Sequence, residues 1–256
     1  MSDETTDARP QQVRIADDLR NQIRRSELVP GDKLPTLHVL AERYDVSVMV
    51  ARRSMDLLRQ EGLLISKKGS GTYVREPKWT RRYGLQRYSR SVWGGPDPQG
   101  VLQAEGSDQG QKVEQESEII QTIAPDFVVE RLPDVSDGDL VHVRKRVTKL
   151  DGTINQSVDS YFSTATAARA PGILEGEGPG GHICDIDRIS TVQEIQEEIS
   201  ARMPTGPEAG RLRIPQGTPV FEVIRTYHTE DGPLDVAHFL IRADMAVFDY
   251  RFPVPD

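Results

Sequence analysis

Apolar residues recur at intervals of three and four along the first quarter of the chain, then give way to alternation and hairpin signals. Val13, Ala16, Leu19 and Ile23, with Arg and Asp between them, predict an amphipathic helix that frays near Ser26. Pro30-Gly31 marks a turn. Thr36 then has the chemistry of an N-cap for a second helix over 37–44, with Leu37, Leu40 and Ala41 as its buried stripe. After a break at Asp45-Val46, Ser47 caps a third helix that runs to about Glu61 and stops at Gly62. Its expected inner face is Val50, Ala51, Ser54, Leu57 and Leu58. Leu63–Ile65 and Thr72–Val74 read as strands around the turn Lys67-Lys68-Gly69-Ser70-Gly71. The order is three helices and a two-stranded wing.

Past Pro77 the pattern changes. Lys78, Arg81, Arg82, Arg87 and Arg90 alternate with Trp79, Tyr83, Tyr88 and Trp93, which reads as a basic-aromatic linker. Strands are predicted over Ser117–Ala124, Leu140–Lys149 and Asn155–Phe162, the last two joined by a turn at Asp151-Gly152. Val192, Ile195 and Ile199 predict a helix over Thr191–Ala201. Pro219–Thr229 and Leu234–Ile241 form another hairpin signal, and Val247–Phe252 reads as an edge strand. The expected organisation is a disordered tail at 1–10, a winged helix-turn-helix at 11–76, a linker at 77–92 and an α+β domain of antiparallel hairpins and helices at 93–256.

Composition refines this picture. A chain of 256 residues with 36% hydrophobic and 28% charged residues suits two soluble globular domains. It holds no run of about 18 apolar residues, so no membrane span is expected. The acidic start lacks the features of a secretory signal. One cysteine, Cys184, excludes an internal disulfide and points to the reducing cytoplasm. The net charge of -8 is unevenly spread. Residues 1–75 carry 13 basic and 11 acidic side chains, 76–91 carry five and one, and 92–256 carry 14 and 28. The first third can meet a polyanion; the remainder would be repelled by it.

In a helix-turn-helix the second helix of the motif enters the major groove. Here it offers Ser47, Met49, Arg52 and Arg53 near its start. Arginine is the most frequent reader of guanine, which makes Arg52 the base-reading candidate and Arg53 a phosphate contact. The wing tip Lys68-Gly69 suits the minor groove or the backbone. The plainer alternative is a solvated basic surface. In the second domain Arg144 and Arg146 share one face of a strand, where a bound carboxylate or phosphate would satisfy both. They would equally serve to pair with an acid on a neighbouring strand, such as Asp159. Gly178-Pro179-Gly180-Gly181 forms either an anion-binding nest next to His182 or a surface loop. No His/Cys cluster has metal-ligand spacing, and no nucleophile elbow, phosphate loop or dinucleotide fingerprint is present, so neither metal nor cofactor is expected.

Residues 13–75 resemble the winged-helix domain of the GntR family of bacterial regulators. The match is carried by Leu28-Val29-Pro30-Gly31-Asp32-Lys33-Leu34-Pro35-Thr36, Leu40-Ala41-Glu42-Arg43-Tyr44, Val46-Ser47, Arg52, Glu61-Gly62-Leu63-Leu64 and Gly69-Ser70-Gly71-Thr72-Tyr73-Val74. The resemblance implies DNA contacts at Thr36, Ser47, Met49, Arg52, Lys68, Gly69 and Gly71. Val48 stands where many relatives carry Arg, which implies a different operator.

Residues 90–256 resemble the UTRA effector domain of the HutC subfamily through Val143-Arg144-Lys145-Arg146, Asp159-Ser160-Tyr161-Phe162, Leu212-Arg213-Ile214-Pro215, Arg225-Thr226-Tyr227 and Asp231-Gly232-Pro233-Leu234-Asp235. This implies a chorismate-lyase-like fold without the lyase reaction. It also implies an effector site at Arg144, Arg146, Val158, Gly180, Gly181, His182 and Asp235. Val158 replaces a Glu common in sugar-phosphate sensors, which favours a less polar acid. The resulting expectation is a homodimeric repressor, not an enzyme, released from an inverted-repeat operator by an anionic effector. The alternatives are a regulator whose second domain only dimerises, and an enzyme on the lyase-like fold.

Overall fold

The computed structural model describes residues 9–67, 69–76, 79–84, 86–175, 181–214 and 217–254. Residues 215–218 aside, the chain divides at Trp79 into two compact units. The expected tail at 1–8 and the sites placed on Lys68 and Gly180 fall outside the described residues.

The first unit contains α1 (Gln11–Arg24), α2 (Leu37–Arg43), α3 (Val48–Gln60), β1 (Leu64–Lys67) and β2 (Gly71–Val74). Thr36 and Ser47 cap α2 and α3, accepting from the amides of Val39 at 3.4 Å and Val50 at 3.3 Å. The three helices close on Ile15, Ala16, Leu19, Leu40, Ala51, Met55 and Leu58. Met55 belongs to this core, whereas Val50 and Leu57 are only partly buried against it, because the inward stripe of α3 is 51, 54, 55 and 58. The wing is tied to α3 by Arg59, which donates to Ser66 and Thr72, both at 3.0 Å. It gains a third rung from the turn before α2, where Leu34 N donates to Thr72 O at 2.8 Å.

The second unit runs β3 (Thr80–Tyr83), α4 (Arg90–Trp93), α5 (Val101–Asp108), β4 (Val113–Ile123), α6 (Asp126–Val129), β5 (Leu140–Leu150), β6 (Thr153–Ser163), α7 (Thr164–Arg169), α8 (His182–Ile189), β7 (Val192–Arg202), α9 (Gly206–Leu212), β8 (Val220–Thr229), β9 (Gly232–Arg242) and β10 (Ala246–Asp249). Six strands make one antiparallel sheet in the order β4-β5-β6-β9-β8-β7. β3 and β10 pair in parallel as a separate two-stranded ladder. Apolar side chains of α6 and its neighbours cover one face of the sheet; the other packs on α8 and the β3–β10 ladder.

Two expectations are corrected here. Residues 192–202 are a strand, not a helix. A bulge between Val192 and Glu194 shifts the register, so Val192 and Ile195, three apart, sit as a strand allows, and 195, 197 and 199 then alternate. The helical spacing came from that extra residue. The supposed linker is also part of the second unit. Thr80–Tyr83 is a strand, and Arg82 and Arg87 are buried.

Phe162 on β6 is fully buried between α7, α8 and Tyr227. Phe162→Ala is expected to cost about 3–5 kcal/mol of stability, measured by urea denaturation.

Candidate functional site

Two surfaces carry the sequence-predicted residues. The first is the leading end of α3 with the N-terminus of α2. Thr36, Ser47, Arg52 and Arg53 are exposed there. Met49 is 58% exposed and Val39 50%. Arg20 and Arg59 in the same unit are held by Glu61 and Asp56. Among the described residues Arg52 and Arg53 have no ion-pair partner. In the wing, Gly69 and Gly71 are exposed with positive φ, and a Cβ on Gly71 would meet Lys33 Cε at 2.8 Å.

The second surface lies inside the β-sheet unit and follows from strand register. Cross-strand partners share a face, so Arg144, Ser160, Ala237 and Arg225 form one row across β5, β6, β9 and β8. Arg146, Val158, Phe239 and Val223 form the next. Ser160 and Ala237 are small, which leaves a hollow between the arginines. Asp159 points to the opposite face, where Arg211 holds it at 2.6 and 3.0 Å. It therefore cannot neutralise the strand arginines.

Over the hollow sits His182, the first residue of α8. Its Nε2 lies 2.8 Å from Asp235 Oδ2 and 3.0 Å from Arg225 Nη2; the carboxylate, which can only accept, takes the Nε2 proton and leaves Nδ1 as an acceptor 3.5 Å from Arg146 Nη1. Arg225 Nη2 donates to both Asp235 oxygens at 3.2 and 3.3 Å, and Arg146 Nη2 donates to Ser160 Oγ at 3.0 Å. Burial pushes His182 down to about 4, and Arg146 and Arg225 push the same way against the pull of Asp235. Burial opposes ionisation of Asp235, but Arg225 and His182 outweigh it and keep its carboxyl below the usual range. The imidazole is therefore neutral at pH 7 and the carboxylate charged.

A cavity of about 60 Å³ opens here. At ~10–15 Å³ per water it has room for several water molecules. It is lined by Arg87, Arg146 and Arg225, by Tyr88, Gln156, His182 and neighbours, and, among the described residues, by no carboxylate. Of the predicted effector residues Arg146, Val158, Gly181 and His182 line it. Asp235 supports it from behind. Arg144 is buried at 1% exposure and is not among the lining residues. Arg87 and Tyr88 were hidden in the supposed linker, and Arg225 in a strand motif whose cross-strand neighbour the sequence does not show. Among the described residues no group of three His, Cys, Asp or Glu is arranged to hold a metal ion, and no helix is long and apolar enough to cross a membrane.

The family model described as "Bacterial regulatory proteins, gntR family" matches residues 11–74, and that of the UTRA domain matches 108–246, more than half of the chain. The chain belongs to the GntR family. It is a DNA-binding transcriptional regulator with a UTRA effector domain. It is 27% identical over 257 residues to an uncharacterized HTH-type transcriptional regulator of Streptomyces coelicolor, covering 96% of this chain and 94% of the relative. To the HTH-type transcriptional repressor NagR of Bacillus subtilis it is 27% identical over 250 residues, 93% of each chain. A crystal structure described as that of a GntR-family transcriptional regulator matches with a TM-score of 0.62 at 30% identity, over 96% of this chain and 99% of the other.

In this GntR-family regulator the neutral His182 links stability to pH. Its folded-state value lies below the unfolded 6.5, so the unfolded chain binds the extra proton. Its contribution is complete above about pH 6.5 and is lost as the pH falls toward 4. Stability is expected to drop by about 2 kcal/mol between pH 8 and pH 5 through this group, and His182→Gln to flatten that slope in paired denaturation curves.

Proposed function

We propose that this regulator is a repressor that leaves its operator when a compact anionic effector occupies the cavity beneath α8. The observation that carries the reading is the cavity lining itself: three buried guanidinium groups and, among the described residues, no carboxylate. Residues 92–256 are otherwise strongly acidic, so a cationic pocket there is the reverse of its surroundings. Val158, Tyr227 and Phe239 add an apolar wall, which suits an acid with a small hydrocarbon part. The name of NagR as a repressor supports the direction of control.

The same reading assigns operator contact to α3 and the wing. Arg52 is exposed and uncommitted, fit for the two acceptors of a guanine; Arg53 and the amides after Ser47 fit phosphates. Met49 and Val39, exposed and apolar, suit thymine methyl groups. One winged helix reads one half-site, so we assign a homodimer on an inverted repeat, acting in the cytoplasm where that DNA is. Catalysis at this cavity is disfavoured by the state of its histidine–carboxylate pair. His182 is buried, depressed in basicity and engaged by Arg146 and Asp235.

Arg52→Ala is expected to weaken binding to operator fragments recovered by genome-wide footprinting at least tenfold, with an unchanged melting temperature. Equal mobility-shift titrations for mutant and wild type would remove Arg52 from the interface. Arg146→Gln is expected to bind the operator normally but resist release by whichever anion from a screen releases the wild type. Normal release of that variant would move the effector site elsewhere.

A further inference from the structure

Arg87 lies on the 3-10 turn Gln86–Tyr88, a few residues after β3, in the segment that directly follows the winged-helix unit. Its side chain is 4% exposed, and Nη2 sits 3.2 Å from Glu105 Oε2 on α5. Nε and Nη1 are buried with no hydrogen-bond partner among the described residues, as is Nε of Arg225. A buried guanidinium with two unmet donors is costly, and both arginines line the same cavity. The starts of two eight-residue helices line it too, α5 through Gly100–Gln103 and α8 through Gly181–Ile183. Neither has a side-chain cap, and Gly181 reaches its N-cap geometry with φ +69°. Helix starts carry partial positive charge and free amides, so they add to the pull of the guanidinium groups on an anion.

Glu105 has a second task. Its Oε1 accepts from the backbone amide of Tyr83 at 3.0 Å, which anchors the end of β3. Nearby, Gln109 both accepts from Arg81 N at 2.8 Å and donates to Arg81 O at 3.0 Å, acting as a strand neighbour would. Glu105 therefore holds β3 with one oxygen and Arg87 with the other.

Resting on the reading of this cavity as the effector site, we propose that Arg87 is itself an effector ligand, which shifts from Glu105 to a compact oxyanion when the cavity fills. The shared chemistry is that of phosphate and carboxylate groups, both of which accept paired donors from a guanidinium. Relieving Glu105 of Arg87 alters the clamp on β3, so occupancy is felt in the segment that follows the DNA-binding unit.

The test uses the full chain and four probes at matched ionic strength with chloride as the reference: inorganic phosphate, sulfate, malonate and acetate. Thermal melts and calorimetric titration are read for wild type, Arg87→Gln, Arg87→Lys, Glu105→Gln and Arg146→Gln. Wild type is expected to be stabilised by at least one probe; phosphate and sulfate against malonate and acetate separates the two sources of oxyanion. Arg87→Gln should bind that probe at least tenfold more weakly, and Arg87→Lys should recover part of the loss. Glu105→Gln should bind it at least threefold more tightly, since the competing carboxylate is gone; a purely structural pair would not give that gain. Normal binding by Arg87→Gln with loss in Arg146→Gln overturns the role of Arg87 and leaves the cavity standing. No response of the wild type to any probe, or normal binding by both variants, overturns the site as well. Unchanged affinity in Glu105→Gln overturns the exchange.

Discussion

The carboxylate of Asp235 is the charge on which the interior of the effector domain depends. It is fully withdrawn from water, a position that costs several kcal/mol unless repaid by close partners. His182 and Arg225 supply them. In accepting from His182 Nε2 it fixes the tautomer, and so turns an acceptor toward Arg146. In holding Arg225 it lets a guanidinium lie over the ring of Tyr227, 3.9 Å from its centroid, with Phe239 on the other side. Phe239 in turn faces Arg82 from β3, which burial and the neighbouring Arg87 pull down to about 10. One buried anion thus organises a cluster of buried cations.

Much of the first unit was legible because its signals are local. Apolar spacing, the hydroxyl caps Thr36 and Ser47, and the glycine stop each act within one helical turn, and the elements fall within a few residues of the expected bounds. The sheet hairpins at 140–163 and 220–242 were equally legible, since alternation and Asp-Gly turns are also local. The failures came where a local pattern had a distant cause. The helical spacing of Val192, Ile195 and Ile199 is a strand pattern with one bulged residue, visible only against the register of β8. The basic-aromatic stretch after Trp79 has the composition of a solvated hinge. Arg82 within it is buried because partners far along the chain, Gln156 and Phe239, receive it.

The candidate site divides along the same line. Arg146 and His182 could be named from the sequence because the motifs around them resemble those of the family. Arg225 belongs beside them only through the row that runs across β5, β6, β9 and β8. Arg144, two residues from Arg146 on the same face, was expected to act with it, yet the lining of the cavity passes it by. Sharing a face is a property of one strand; sharing a cavity depends on what covers each row.

The pairing of β3 with β10 has a consequence in time. These strands are among the first and last elements of their unit, and the Arg81–Asp249 ion pair across them joins residues 168 positions apart. At roughly 5–20 residues per second, synthesis leaves β3 waiting about ten to thirty seconds for its partner. The winged helix, whose contacts are local, can be complete long before. The cavity that Arg87 lines also needs Arg225 and Phe239 from strands late in the chain, so a nascent chain can present its DNA-reading helices before that cavity is closed.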